Sequence, residues 1–176
     1  MDQKIDAEIV AKILKGDRQT YALLVEEYKR PIYNLAYRMT GNADDADDLT
    51  QETFIRAYKN LWRYDSSRKF FTWLYTLAFN LNKNHLRKNK KEKLSEELSA
   101  LSLTDNNPSP EDKMIEDQEI NSCLLRLEDE PRALLIMKYQ QEFSFEEIAQ
   151  ITGKSLSAVK MRIYRGLEKL KELING

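Results

Sequence analysis

The chain has one cysteine and one histidine in 176 residues, with only five glycines and four prolines. Cys123 alone closes no intrachain disulfide, so the sequence fits a reducing compartment. His85 lies in a basic stretch without a cysteine or a paired acid arranged beside it, which leaves no recognisable catalytic group. No GxxxxGK[ST] segment or glycine-rich loop is present, so the usual phosphate-cradling signature for ATP is missing. No apolar run is long enough to span a bilayer, and MDQKIDAEIV lacks the hydrophobic core of a signal peptide. The expectation is a cytoplasmic chain with no direct membrane insertion, no cofactor, no metal and no enzymatic activity. Four aspartates at 44, 45, 47 and 48 could suggest a metal site. They sit at i, i+1, i+3 and i+4 of one helix, without the glycine turn of a calcium loop.

What is present is charge in separate blocks and apolar residues at helical spacing. Hydrophobic residues make up 41% and charged residues 32%, enough apolar surface for one compact domain or two small ones. The formal net charge is only -1, so any polyanion must be held by local patches. Lys83, Arg87, Lys88, Lys90, Lys91 and Lys93 form one basic cluster, and Lys154, Lys160, Arg162, Arg165, Lys169 and Lys171 form another. Acidic residues from Glu96 to Glu119 lie between them. Two basic poles with an acidic strap suggest two contact surfaces on one polyanion.

The periodicity predicts an all-α fold, with no convincing strand alternation. Ile5, Ile9 and Ile13 open a short helix that Gly16 can end. Tyr21, Leu24, Val25, Tyr28, Ile32, Leu35 and Met39 form one stripe up to Gly41, with a kink or break expected at Pro31. Asn42 can cap the next helix, whose first turn carries aspartates favoured by its dipole, and which should run to about Leu61. A further helix is predicted from near Phe70 to about Lys91. The segment SEELSALSLTDNNPSPED, rich in Ser, Asn and Asp and containing Pro108 and Pro110, reads as an irregular acidic linker. The expected organisation is two small helical domains at 1–92 and 113–176, joined by a linker at 93–112. The second domain opens with a helix through Ile115, Ile120, Leu124 and Leu127, and Pro131 is placed as the first residue of the next helix.

The segment SFEEIAQITGKSLSAVKMRIYRGLEKLK reads as a helix-turn-helix. Ser144 and Glu147 have capping-box spacing, Gly153 suits the turn, and Ser155 or Ser157 can cap the second helix. Val159, Ile163, Leu167 and Leu170 build its apolar stripe. Ser157, Met161, Tyr164 and Arg165 fall on roughly the opposite face, flanked by Lys154, Lys160 and Arg162. A small, polar and cationic outward face suits the DNA major groove, although an ordinary helical hairpin with a solvated basic face has the same pattern.

A second candidate surface lies in WRYDSSRKFFTWLYTLAFNLNKNHLR. Phe70, Leu74, Leu77, Ala78 and Leu81 fall on the side facing a core, while Trp73, Thr76, Asn80, Lys83 and Arg87 share another side. An aromatic ring, a hydroxyl, an amide and two cations in one stripe suit single-stranded DNA, through base stacking and phosphate contact. The loop from Arg63 to Lys69 could wall a pocket for an unstacked base. Phe70, Phe71, Tyr75 and Phe79 are assigned mainly to packing.

Taken together, these motifs resemble the bacterial sigma factors of the extracytoplasmic-function (ECF) group, from about Ala22 to Leu170. LVEEYKRPIYNLAYRMTGNADDADDLTQETFIRAYKNL is similar to the group's polymerase-binding helices. KFFTWLYTLAFNLNKNHLRK is similar to its −10 promoter helix, and PRALLIMKYQQEFSFEEIAQITGKSLSAVKMRIYRGLEKLK to its −35 reader. The helix-turn-helix alone is shared by many regulators; the order of all three motifs is the specific feature. Phe71 and Met161 depart from the group's common residues, which bears on promoter preference.

The resemblance implies a transcription initiation factor that binds core RNA polymerase, directs it to promoters and promotes melting. Asp44, Asp45, Asp47, Asp48, Leu49, Gln51, Glu52 and Phe54 would dock on the clamp helices of the polymerase's largest subunit. Trp62, Arg63, Tyr64, Arg68, Lys69, Trp73, Thr76, Asn80, Lys83 and Arg87 would hold the −10 element. Lys154, Ser155, Ser157, Lys160, Met161, Arg162 and Arg165 would meet the −35 duplex. The flap of the second-largest subunit and an inhibitory anti-sigma protein, often membrane-embedded, are further implied partners. The alternative is a helix-turn-helix regulator acting without being a polymerase subunit, which leaves the acidic helix and the aromatic stripe unused.

Overall fold

The computed structural model describes residues 3–99 and 115–175, with side chains for 3–95 and 118–175. Among the described residues every regular element is helical. Helix α1 spans Gln3–Leu14 and buries Asp6, Ile9, Val10 and Ile13. Ile5, expected on that face, is instead exposed. The Tyr28 hydroxyl donates to the buried Asp6 carboxylate at 2.6 Å, tying α1 to the next helix. Burial, with Asp6 adding to it, pushes the Tyr28 phenol well above its ordinary pKa.

After a 3₁₀ turn at Arg18–Thr20, α2 spans Tyr21–Thr40 and passes through Pro31 without a break. Of the expected kink or break, the break is therefore excluded. Buried residues on both sides of Pro31 (Leu24, Tyr28, Ile32, Leu35) hold the helix together against a local penalty of ~3 kcal/mol. Glu27, whose carbonyl loses the bond proline cannot donate, lies on the exposed side. Gly41 ends the helix in the left-handed region, φ 71°, where glycine carries no Cβ penalty.

Helix α3 spans Ala43–Lys59, capped by the Asn42 side chain, which accepts from Asp45 N–H at 3.0 Å. It stops two residues before Leu61, which instead opens a 3₁₀ turn, Leu61–Arg63. Helix α4 spans Phe70–Ser99, so residues 93–99, assigned from sequence to the linker, continue the helix. Lys93, the leucines and the two glutamates there keep good helix propensity, and the prolines come later. The remainder of the expected linker, and the start of the second domain at 113 and 114, lie outside the described residues.

Helices α2, α3 and α4 pack on one another, with α1 against α2 and α4. Their core includes Leu24, Ile32, Leu35, Phe70, Leu74 and Tyr75, all fully buried. The C-terminal group contains α5 (Ile115–Leu125), α6 (Asp129–Tyr139), α7 (Phe145–Thr152) and α8 (Leu156–Asn175). Helix α5 stops before Leu127 and leaves Ile120 exposed. Pro131 stands third in α6 rather than first, still within the turn whose N–H groups lack helical acceptors.

The two groups of helices share one apolar cluster, with α7 and α6 against α4, and α5 and α6 against α2. Phe143, in the loop before α7, stacks on Phe71 at 5.2 Å and meets Tyr75 edge-on at 4.9 Å. The side chain of Leu125 lies over Gly41, where a Cβ would come within 2.8 Å of it. Arg132 is buried and donates to the Leu124, Leu125 and Leu127 carbonyls at 3.0, 3.1 and 2.8 Å. It also donates across the junction to the Met39 carbonyl. One guanidinium thus satisfies carbonyls at the ends of two helices. Lys69–Glu147 at 2.8 Å and Lys90–Asp129 at 2.6 Å flank the same junction.

Candidate nucleic-acid interface

Three surfaces carry the residues singled out in the sequence. On α3, Asp44, Asp47, Asp48 and Gln51 are exposed along one side. Asp45 is partly buried, with its carboxylate 3.3 Å from His85 Nε2, and Glu52 accepts from Arg56 at 2.5 Å. Leu49 and Phe54 do not reach the surface. Leu49 packs with Ala36, Ala46 and Leu81, and Phe54 joins the main core. The apolar contribution to any docking face comes instead from Ile55 and Tyr58, both exposed. Ile55 lies one turn beyond Gln51 on the same side, so helical spacing alone could have picked it out. Tyr58 packs edge-on against Tyr21 at 5.0 Å.

The second surface runs from the 3₁₀ turn into α4. Trp62 is 67% exposed, with the Arg63 guanidinium 4.8 Å from its ring centre. Tyr64 is half-buried; its hydroxyl donates to the Arg68 carbonyl at 2.7 Å and its ring meets Phe70 edge-on. Asp65 accepts from Ser67 N–H at 2.9 Å, and Arg68 N–H closes on the Asp65 carbonyl at 3.0 Å. These bonds give the loop a defined shape between the turn and α4.

Trp73 is half-buried against Tyr64 and Phe70, at 5.7 and 5.5 Å. Asn80, Lys83 and Arg87 are exposed further along α4, and Thr76, partly buried, donates back to the Thr72 carbonyl. The predicted stripe therefore runs along one side of a single helix. A cleft of about 190 Å³ opens at its start, lined by Arg68, Lys69, Trp73 and Thr76 from this surface and by Gln150 from α7. That volume is below the ~300–1,000 Å³ usual for small-molecule sites.

Lys69 is held by Glu147, so a carboxylate of the helix-turn-helix sits on a cation of the α4 surface. Burial would raise the Glu147 pKa, but hydrogen bonds from Lys69 and Ser144 outweigh it and hold the carboxyl below its ordinary value. Neither Glu147 nor Gln150 was singled out for this role. Glu147 looked fully explained by its cap, and contacts between distant helices leave no mark on local spacing.

The third surface is the helix-turn-helix. Ser144 accepts from Glu147 N–H at 3.1 Å and Glu147 accepts from Ser144 N–H at 2.8 Å, a reciprocal capping box. Gly153, at φ 68°, ends α7. The Ser155 hydroxyl accepts from Ala158 N–H at 3.3 Å, so it is Ser155 rather than Ser157 that caps α8. Val159 and Ile163 are fully buried, while Ser157, Met161, Tyr164 and Arg165 are exposed on the other side. Lys160 lies over the Phe145 ring at 5.5 Å. Lys154 and Arg162 both converge on the Glu130 carboxylate of α6, Lys154 at 3.1 Å. Unlike Arg165, these two cations already have an internal partner.

Comparison with known proteins agrees with this layout. The family model described as Sigma-70 region 2 matches residues 24–92, and that described as Sigma-70, region 4 matches residues 117–170. The ECF RNA polymerase sigma factor SigW of Bacillus subtilis is 37% identical, over 93% of this chain and 93% of its own. The RNA polymerase sigma-H factor of Pseudomonas aeruginosa is 28% identical, over 99% and 96%. Among solved structures, CnrH in complex with the cytosolic domain of CnrY aligns with a TM-score of 0.75 at 24% identity, covering 99% of this chain and 98% of that one. A sigma factor RpoE, solved with the anti-sigma factor NepR from Bartonella quintana, aligns with a TM-score of 0.73 at 21% identity, over 88% and 96%. A regulator built on the helix-turn-helix alone would leave the match over 24–92 without explanation. With matches to both conserved regions and a relative similar over nearly its full length, the chain belongs to the sigma-70 family of RNA polymerase sigma factors, in the ECF group.

Proposed function

We propose that this sigma factor uses its three surfaces in distinct steps of initiation, and that residues 1–92 and 113–176 act as separable domains. The observation that carries this reading is the segregation of surface chemistry. An acidic face with exposed Ile55 lies on α3, an aromatic and cationic stripe lies on α4, and a small polar and basic face lies on α8.

The α3 face suits a basic helical partner such as the clamp helices of the polymerase. Asp44, Asp47 and Asp48 steer the encounter by charge, and Ile55 supplies burial. Trp62 and the loop after it hold an unstacked base of the −10 element, while Trp73, Asn80, Lys83 and Arg87 support the displaced strand. Ser157, Met161 and Arg165 meet base edges of the −35 duplex, and Lys160 meets phosphate. Melting draws on binding energy, since unstacking costs a few kcal/mol per base and capture offsets part of it. The chain itself carries out no catalysis.

The junction between the helix groups is a polar-rimmed contact of the kind that opens. With Glu147 on Lys69 and Gln150 against the cleft beside Trp73, the α4 surface is reached fully only after the groups part. An anti-sigma protein that covers α3 or holds the groups together would block initiation, and the chain works in the cytoplasm. In-vitro transcription with core polymerase over a library of start sites tests the proposal. Chain-dependent transcripts sharing two upstream elements are expected, and Asp48→Lys should abolish both core binding and transcripts. Core binding that survives Asp48→Lys, or transcripts without a shared upstream element, would overturn these surface assignments.

A further inference from the structure

Glu130 stands in the first turn of α6, outside the helix-turn-helix. Its carboxylate nevertheless accepts from two cations of that unit. Lys154 Nζ, in the turn between α7 and α8, lies 3.1 Å away, and Arg162, two turns into α8, donates through Nη1 to the same oxygen. The three side chains are 30% (Lys154), 34% (Glu130) and 43% (Arg162) exposed, so the cluster sits at the surface rather than in the core. One carboxylate therefore connects the start of α6, the inter-helix turn and the reading helix.

A second observation fixes the same crossing. Gly166, one turn beyond Arg162, is buried where a Cβ would lie 3.4 Å from Pro131 Cβ and 3.6 Å from the Leu135 side chain. The close approach of α8 to the first turn of α6 thus brings Glu130 within reach of Arg162. The neighbouring acid, Asp129, is turned the other way, to Lys90 and Arg132.

The geometry points to Glu130 as a positioning residue for −35 recognition, working through Arg162 and Lys154. A guanidinium has five N–H donors and an ammonium three, so each cation keeps donors for a phosphate oxygen while one is held by Glu130. Ordering a long side chain on binding costs conformational entropy. Two cations held in advance meet the duplex with that cost reduced, and only when the phosphates stand in the matching register. The same carboxylate reduces the local positive charge, which weakens attraction to DNA in any other register. Glu130 thereby lowers non-specific binding while supporting specific binding.

This inference rests on α8 being the −35 reader. Holoenzyme assembled from core polymerase and the wild-type chain is used to select a preferred upstream duplex from a randomised pool. That duplex and a scrambled duplex of equal length are the probes. Glu130→Gln keeps shape and removes charge. It should lower the preferred-to-scrambled affinity ratio about five-fold or more, with scrambled binding unchanged or tighter. In a background carrying Arg162→Ala and Lys154→Ala, the same substitution should leave the ratio unaltered, which a merely structural role for Glu130 would not produce. Glu130→Asp, which keeps the charge, should restore part of the ratio and guards against a folding defect in the glutamine variant. An unchanged ratio in Glu130→Gln, an equal rise on both probes, or the same loss in the double-alanine background would each overturn the inference while leaving the reading of α8 intact. A wild-type holoenzyme that selects no duplex would overturn both.

Discussion

The two tryptophans of the α4 surface separate stability from DNA contact, because the fold treats them differently. Trp62 is 67% exposed and its ring has only the Arg63 guanidinium over it. Its truncation removes little packing, so Trp62→Ala should stay within about 0.5 kcal/mol of wild type in stability. If the ring stacks on an unpaired base, its loss removes about 1–3 kcal/mol of capture energy, equivalent to about 5- to 150-fold in open-complex population. Trp73 is half-buried against Tyr64 and Phe70. A fully buried large aromatic loses ~3–5 kcal/mol on truncation to alanine, so roughly half of that is expected for Trp73→Ala. For a chain of this size the thermal midpoint should fall by about 3–10 °C. The assay compares closed and open complexes on one promoter, using a fluorescent base analogue in the −10 element, alongside thermal unfolding of the free chain. Trp62→Ala should show an unaltered midpoint, an intact closed complex and a depleted open complex. Trp73→Ala should lower the midpoint and also deplete open more than closed complex. A Trp62→Ala holoenzyme with full open complex would remove Trp62 from base capture. Equal losses of both complexes in Trp73→Ala would reduce that residue to a packing role.

Three further outcomes follow from the junction and the outer face of α8. Combining Glu147→Gln with Asp129→Asn removes both flanking ion pairs, each worth about 0–1 kcal/mol. A single-stranded oligonucleotide carrying the −10 element should then bind the free chain up to ~30-fold more tightly, and unchanged affinity would refute masking by α7. Glu147 also sets a pH dependence. Its folded pKa lies below the unfolded value of about 4.3, so its stabilising contribution is complete above that value and disappears as pH falls through the folded pKa. Thermal unfolding followed between pH 5 and 3 should show this loss in wild type and a shallower one in Glu147→Gln; parallel curves would refute it. Arg165→Ala, at an exposed cation on the outer face of α8, should cost about 1–3 kcal/mol on the preferred −35 duplex if it reads a base edge, and an unchanged affinity and selection profile would remove it from the contact set.

Much of this fold was readable from local signals because each helix boundary has a local cause. Asn42, Ser144 and Gly153 announce their caps through side-chain chemistry and a positive φ, and each occupies the place it was expected to fill. Pro31 went the other way, since burial on both sides outweighed a local preference. Leu49 and Phe54, which the resemblance places on the docking face, are buried. The spacing already separates Leu49 and Phe54 from Asp44, Asp48, Gln51 and Ile55. Glu130, Glu147 and Gln150 were not legible at all. Their partners lie far away in sequence, and only the crossings of α6 with α8 and of α7 with α4 bring them together.

The junction also bears on the order of events at a promoter. The acidic face of α3 and the outer face of α8 are open to solvent, whereas the start of the α4 stripe borders α7, with Glu147 on the Lys69 ammonium and Gln150 lining the cleft beside Trp73. Parting the groups exposes Phe143 together with the faces of Phe71 and Tyr75 it covers and the Leu125 side chain over Gly41, at ~1.5–3 kcal/mol for each side chain fully uncovered, and breaks two ion pairs worth about 0–1 kcal/mol each. Arg132 keeps three of its four carbonyl partners within the C-terminal group, so separation costs it only the bond to Met39. These contacts keep the free chain mostly closed. A docking of nanomolar affinity would supply ~12 kcal/mol, and a two-state element shifts from 1:99 to 99:1 with ~5.5 kcal/mol of differential binding. If about half or more of such docking energy depends on the open form, polymerase can open the chain without any nucleotide hydrolysis. The aromatic stripe then becomes available where an unwound strand can meet it.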